Sequence, residues 1–119
     1  RTSPFFEFYE DDIAPLYAKP YKFLLDLNLQ TISAVCELLQ IDMPEVKTST
    51  FEKEPKSIKD IRFLVNAKKD FFTVQDKYVQ VFGDRNGFVK NTSILDLLFN
   101  EGPNSLNYLQ QQDLSFLNL

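Results

Sequence analysis

The sequence predicts an α+β, mainly helical fold: one long amphipathic helix, several short helices and a small β-hairpin. Three observations lead there. One segment keeps a helical apolar period for some twenty residues, one alternates strictly in the manner of a strand, and one ends its apolar run at Gly102-Pro103.

The chain opens in an aromatic cluster, Pro4-Phe5-Phe6-Glu7-Phe8-Tyr9, and leads into Asp11-Asp12-Ile13-Ala14-Pro15-Leu16-Tyr17. The acidic pair suits the first turn of a short helix, where the macrodipole favours negative charge and a proline is tolerated. The long helix is expected from Pro20 to Gln40. Its seam is Leu25, Leu29, Ile32, Cys36 and Leu39, beside a second row of Leu24, Asn28, Thr31, Val35 and Leu38. Cys36 sits in that seam as a core thiol, since a nucleophile would need a basic neighbour. Asn28, on the same face, reads as a buried hydrogen-bonding hub.

Residues 42–55 read as a loop, and Ser57-Ile58-Lys59-Asp60 has the spacing of a capping box that would start a short helix or turn. Lys68-Lys69-Asp70 breaks the chain before the best strand, Tyr78-Val79-Gln80-Val81-Phe82. Gly83 to Gly87, ending in Asn-Gly, is the expected turn, and Phe88-Val89-Lys90 the returning strand. With Val79 and Val81 facing the core, the other face would present Gln80 between Tyr78 and Phe82, either a platform for a sugar ring or a partner chain or a face that upstream sequence covers. Ser93 to Asn100 reads as a buried helix that Gly102 closes and Pro103 cannot continue. A last helix runs to Gln112. The domain is therefore drawn over residues 1–112, with 113–119 as a loose tail.

Composition narrows the function. A hydrophobic fraction of 44% and a charged fraction of 25% are those of a folded domain. A net charge of −4 disfavours nucleic acid, which needs a cationic face. No apolar run is long enough to span a membrane. A single cysteine gives no internal disulfide, and the location is read as cytoplasmic. Without histidine there is no Ser-His-Asp or Cys-His arrangement, and three glycines make no phosphate loop. No complete catalytic set is present, and the reading calls for no metal and no cofactor. The aromatic start predicts upstream sequence packed upon it, so the chain is read as the C-terminal part of a longer protein.

Among candidate binding residues, Ser93 and Asp96 stand three apart with Asn100 one turn on. They form either a capping box or a ligand-facing stripe. Arg62 can clamp a carboxylate or phosphate through its planar fork, or pair with Asp60.

The segments Tyr78-Val-Gln80-Val-Phe82, Gly87-Phe88 and Asn91-Thr-Ser93-Ile-Leu-Asp96-Leu-Leu-Phe-Asn100-Glu-Gly102-Pro103 resemble the C-terminal signature of WbqC-like proteins. Ser3-Pro4-Phe5-Phe6-Glu7-Phe-Tyr9, Leu24-Leu25-Asp26-Leu27-Asn28 and Asp60-Ile-Arg62 are similar to further segments of that family. The resemblance implies a role tied to bacterial surface-polysaccharide (O-antigen) clusters, with glycine or another aminoacyl group passed to a sugar by a transferase. It also implies that an N-terminal half, carrying any catalytic histidine, is missing here and would be the partner of these residues. Arg62, Tyr78, Gln80 and Asp96 would then contact a sugar or nucleotide-sugar, while Asn28, Ser93, Asn100 and Gly102 shape the fold. The alternative is a non-catalytic interaction or structural domain that uses the aromatic hairpin face.

Overall fold

The computed structural model describes residues 2–65 and 74–117. Among the described residues there are five α-helices: α1 (Phe6–Ala18), α2 (Leu24–Leu39), α3 (Gly83–Asn86), α4 (Ile94–Glu101) and α5 (Ser105–Gln110). Three 3₁₀ turns accompany them, at Arg62–Val65, Gly102–Asn104 and Ser115–Leu117. The expected Lys68-Lys69-Asp70 break lies outside the described residues.

Among the described residues there is no β-strand, so the α+β class and its hairpin are corrected to an all-helical architecture. The reason is local. Gly83-Asp84-Arg85-Asn86 winds into a helical turn, in which the Arg85 and Asn86 amides donate to Phe82 O at 3.1 and 3.0 Å. An Asn-Gly hairpin needs positive φ at both central residues. Here only Gly87 takes one, at 67°, where it stops the turn.

The alternation in 78–82 is real but serves another purpose, because its partner is a side chain. Gln80 Oε1 accepts from Val89 N at 2.9 Å while its Nε2 donates to Val89 O at 3.0 Å. One carboxamide thus satisfies both backbone groups that a neighbouring strand would have met. Gln75 Oε1 accepts from Asn91 N at 2.7 Å, and Gln112 Oε1 from Asp76 N at 3.0 Å, in the same way. The facing is also the reverse of the expectation. Tyr78 is buried and Gln80 half-buried, whereas Val79 is 82% exposed.

The helix α1 begins earlier than the acidic pair suggested, at Phe6. Its buried seam runs Phe5, Tyr9, Ile13 and Leu16, spaced four, four and three apart. Pro15 falls in the interior of this helix, where it forfeits one backbone bond, and Ile13 and Leu16 hold the turn by packing. The amide of Phe5 donates to Phe99 O at 2.8 Å and fixes the start of α1 to α4.

In α2 the first turn starts at Leu24, after an extended Phe23. The helix closes with Gln40 in the left-handed region, φ 60°, while Ile41 N donates to Cys36 O at 2.9 Å. Its apolar face is covered only toward the C-terminus, where Cys36 and Leu39 are buried. Leu24 and Leu25, at the other end, are 71% and 65% exposed. Asn28 is exposed on that uncovered half, so it is not the buried hub expected; its carbonyl accepts from the Thr31 hydroxyl at 2.9 Å.

The core has two lobes joined by α4. Tyr9, Ile13, Leu39 and Leu98 form one, with Leu98 wholly enclosed. Tyr78, Leu97 and Tyr108 form the other, their rings edge to face, with Tyr78 to Tyr108 at 5.4 Å and to Phe88 at 5.1 Å. Gly102 ends α4 at φ 55° and lies against Phe5, whose ring would stand 2.6 Å from an added Cβ. Beyond α5, Leu117 is buried within a 3₁₀ turn.

Candidate functional site

The N-terminus of α4 gathers most of the polar chemistry. Ser93 caps the helix, its Oγ accepting from Leu95 N at 3.2 Å. Asp96 does not complete the box by reaching back to the cap. Its carboxylate turns toward the 75–92 segment and collects four donors. Oδ2 accepts from Tyr78 OH at 2.5 Å, Gln80 Nε2 at 3.1 Å and Thr92 Oγ1 at 3.2 Å. Oδ1 accepts from Asn100 Nδ2 at 3.2 Å, and the same Nδ2 also donates to Asp96 O at 2.7 Å.

Three stretches of chain place the four donors. Asn100 lies one helical turn along α4, Thr92 just before the cap, and Tyr78 and Gln80 on the extended segment held by the Gln80–Val89 pairing. Burial, and then the bond to the Asp96 carboxylate, holds the Tyr78 phenol above its usual range. It is therefore a protonated donor at neutral pH. Oδ2 is saturated, while Oδ1 keeps acceptor capacity for a further hydroxyl or amine.

Beside this network is an open cavity of about 360 Å³, lined by Ser3, Gln80, Phe82, Asn86, Thr92 and Asp96 among others. Its lining combines hydroxyls, amides, one carboxylate and the ring of Phe82, which is 57% exposed. A carbohydrate offers matching hydroxyls and an apolar ring face.

Of the residues singled out in the sequence, the structure brings Tyr78, Gln80, Asp96 and Asn100 together, with Ser93 as the adjacent cap. It leaves Arg62 elsewhere. The Arg62 guanidinium grips Asp60 through Nε at 2.9 Å and Nη2 at 2.7 Å. Its Nη2 also donates to the carbonyls of Glu52 and Lys53, at 2.9 and 3.1 Å. The Phe51 ring lies 5.1 Å from the guanidinium carbon. Arg62 is thus the staple of the 52–62 loop. Its hydrogen bonds to Asp60 hold that carboxyl at a pKa of about 2. The expected box at Ser57–Asp60 starts no helix directly; Asp60 Oδ1 instead accepts from Arg62 N at 3.0 Å, opening the 3₁₀ turn. Asn28 lies apart on α2, and Gly102 works as a packing contact.

Sequence reading missed Thr92 as a carboxylate partner. It also missed Gln75, which meets the Tyr108 hydroxyl, and Gln112, whose Nε2 donates to the Tyr108 backbone carbonyl at 2.9 Å. Gln75 Nε2 donates to that hydroxyl at 3.2 Å, and the hydroxyl itself donates to Asp76 O. The only available signal was a run of glutamines in segments with no obvious strand partner.

A comparison with family models matches residues 1–70 of the 119 to the model described as the WbqC-like protein family. The match contains Ser3–Tyr9, Leu24–Asn28 and Asp60–Arg62, while the Gln80–Pro103 block lies outside it. Neither the curated proteins nor the solved structures compared with the chain give a match.

Proposed function

The chain belongs to the WbqC-like protein family, and from that premise we propose that it serves bacterial surface-polysaccharide assembly, binding a sugar in the cavity beside Asp96. The observation that carries this reading is the convergence of Gln80 and Asp96 on one sugar-sized cavity. Asp96 is oriented there in advance by Tyr78, Thr92 and Asn100. A carboxylate already fixed in place loses little entropy when a ligand arrives. Its free Oδ1 capacity suits a sugar hydroxyl, and the Phe82 ring suits the apolar face of a pyranose.

In this reading the chain holds an acceptor sugar for aminoacyl transfer. It supplies binding groups and not the reacting ones, since it has no histidine and its single thiol, Cys36, is buried. The reading sets this work in the cytoplasm. No helix among the described residues is long and apolar enough to cross a membrane.

Calorimetric titration with nucleotide-activated amino sugars tests the proposal. Saturable binding is expected, with loss in Phe82→Ala and Asn86→Ala, which alter exposed side chains and leave the Asp96 network whole. Binding that neither substitution touches, or no binding at all, overturns it. That result would favour the non-catalytic interaction reading, for which the exposed Leu24, Leu25 and Ile32 of α2 are the relevant observation.

A further inference from the structure

A second cavity, of about 420 Å³, opens between α1, the C-terminal end of α2 and the corner that joins α4 to α5. Phe8, Tyr9 and Asp12 line it from α1, Glu37 and Gln40 from α2 and its cap, and Pro103 from the corner. It shares no residue with the cavity beside Asp96.

Three features give this cavity a chemical preference. Tyr9, which lines the cavity, is 3% exposed as a residue, and its hydroxyl makes no hydrogen bond among the described residues but keeps contact with solvent. A hydroxyl that meets water in the free protein is open to a ligand donor. Asp12 and Glu37 form no hydrogen bond or ion pair among the described residues, and no cationic side chain lines the cavity to offset them. Phe8 is exposed and meets Tyr9 edge to face at 4.8 Å, so an aromatic surface borders the same space.

Two uncompensated carboxylates repel phosphates and acids. A hard divalent cation wants six or more oxygens and gains nothing from the Phe8, Leu38 and Leu106 walls. An organic ammonium fits both parts. Its charge meets the carboxylates, its carbon skeleton meets the apolar wall, and the aromatic ring adds cation–π attraction. A primary ammonium has three N–H donors, and Asp12, Glu37 and the Tyr9 oxygen are three acceptors.

We propose that this cavity binds a primary ammonium group carried by a small molecule, with Asp12 and Glu37 as counter-charges and the Tyr9 hydroxyl as the third acceptor. The site stands apart from the sugar cavity and does not depend on it.

Amide-resolved NMR titration of the chain tests the site, using glucosamine, ethanolamine, glucose and ethylene glycol as probes. Saturable shifts at Tyr9, Asp12, Leu39 and Leu106 are expected with the two amines and not with the two neutral compounds. Tighter binding of glucosamine than ethanolamine would identify an amino sugar, and equal binding a simple alkylamine; either supports the site. The Asp12→Asn/Glu37→Gln double variant should weaken binding about tenfold or more, as charge-assisted bonds are lost. Tyr9→Phe should weaken it while leaving the melting temperature unchanged, because no protein group loses a partner. Equal shifts with glucose, shifts that survive in the double variant, or no saturable shift with either amine would overturn the proposal.

Discussion

Four donors converge on the Asp96 carboxylate, and removing the acceptor strands all of them. Tyr78 and Asn100 are buried, so they cannot turn to water. Asp96→Ala is therefore expected to cost about 3 kcal/mol, and Asp96→Asn about half of that, read from urea midpoints at constant slope. Asp60 is the opposite kind of carboxylate. It is only partly covered, yet Arg62 holds its pKa at about 2 instead of the ordinary 3.8. A depressed folded value means the pair stabilises the loop above pH 3.8, and that contribution fades as pH falls through about 2. Carboxyl-resolved NMR titration should give that low midpoint, and Arg62→Ala should return it to the ordinary value. Both carboxylates were visible in the sequence as candidates. Asp60 was legible because its partner is two residues away, and Asn100 because it stands one turn beyond Asp96, whereas Tyr78 and Gln80 lie 18 and 16 residues before Asp96 and no local pattern announces them.

The joint between α4 and the 3₁₀ turn at Gly102–Asn104 shows what one missing side chain allows. Gly102 has positive φ, and the Phe5 ring occupies the space where a Cβ would stand. Gly102→Ala should cost about 3 kcal/mol from backbone strain and overpacking together. Phe5→Ala in the same chain should recover the overpacking part, giving a non-additive double-mutant cycle by urea unfolding. The closing role of Gly102 could be read from its place after an apolar run, but its contact with Phe5 could not, because it joins residues nearly a whole chain apart. The same divide separates the helices from the hairpin. The seams of α2 and α4 were legible because a helix satisfies its own backbone. The alternation around Gln80 was misread because an extended segment takes its partner from elsewhere, and here that partner is a carboxamide.

Across the whole chain the core is thin for its length. The Cα radius of gyration is 16.2 Å, against about 13.5 Å for a well-packed domain of this size. Much of the 42–61 loop is exposed, including Val46 and Phe51, and the N-terminal half of α2 is uncovered. The chain should accordingly unfold with a free energy near the bottom of the usual range, about 5 kcal/mol. Urea melts followed by circular dichroism would show this as an early midpoint. A family ligand or partner that covers α2 would raise it by mass action. This thinness was not legible from composition, which counts apolar residues without saying whether they meet. Leu24, Leu25 and Ile32 continue the α2 seam in sequence, yet only its far end is buried.

The helical turn that replaces the expected hairpin also bears on how the molecule ages. Asn-Gly is the dipeptide most prone to deamidation, since the glycine amide attacks the asparagine side-chain carbonyl, closing a succinimide with loss of ammonia, and water then opens that ring to isoaspartate. At Asn86-Gly87 that amide is already donated to Gly83 O at 2.9 Å, and Asn86 is held in a helical conformation. Ring closure must first break the turn. Stored folded protein should therefore keep Asn86 intact while the denatured chain, in the same buffer, gains the mass of deamidation at this one peptide.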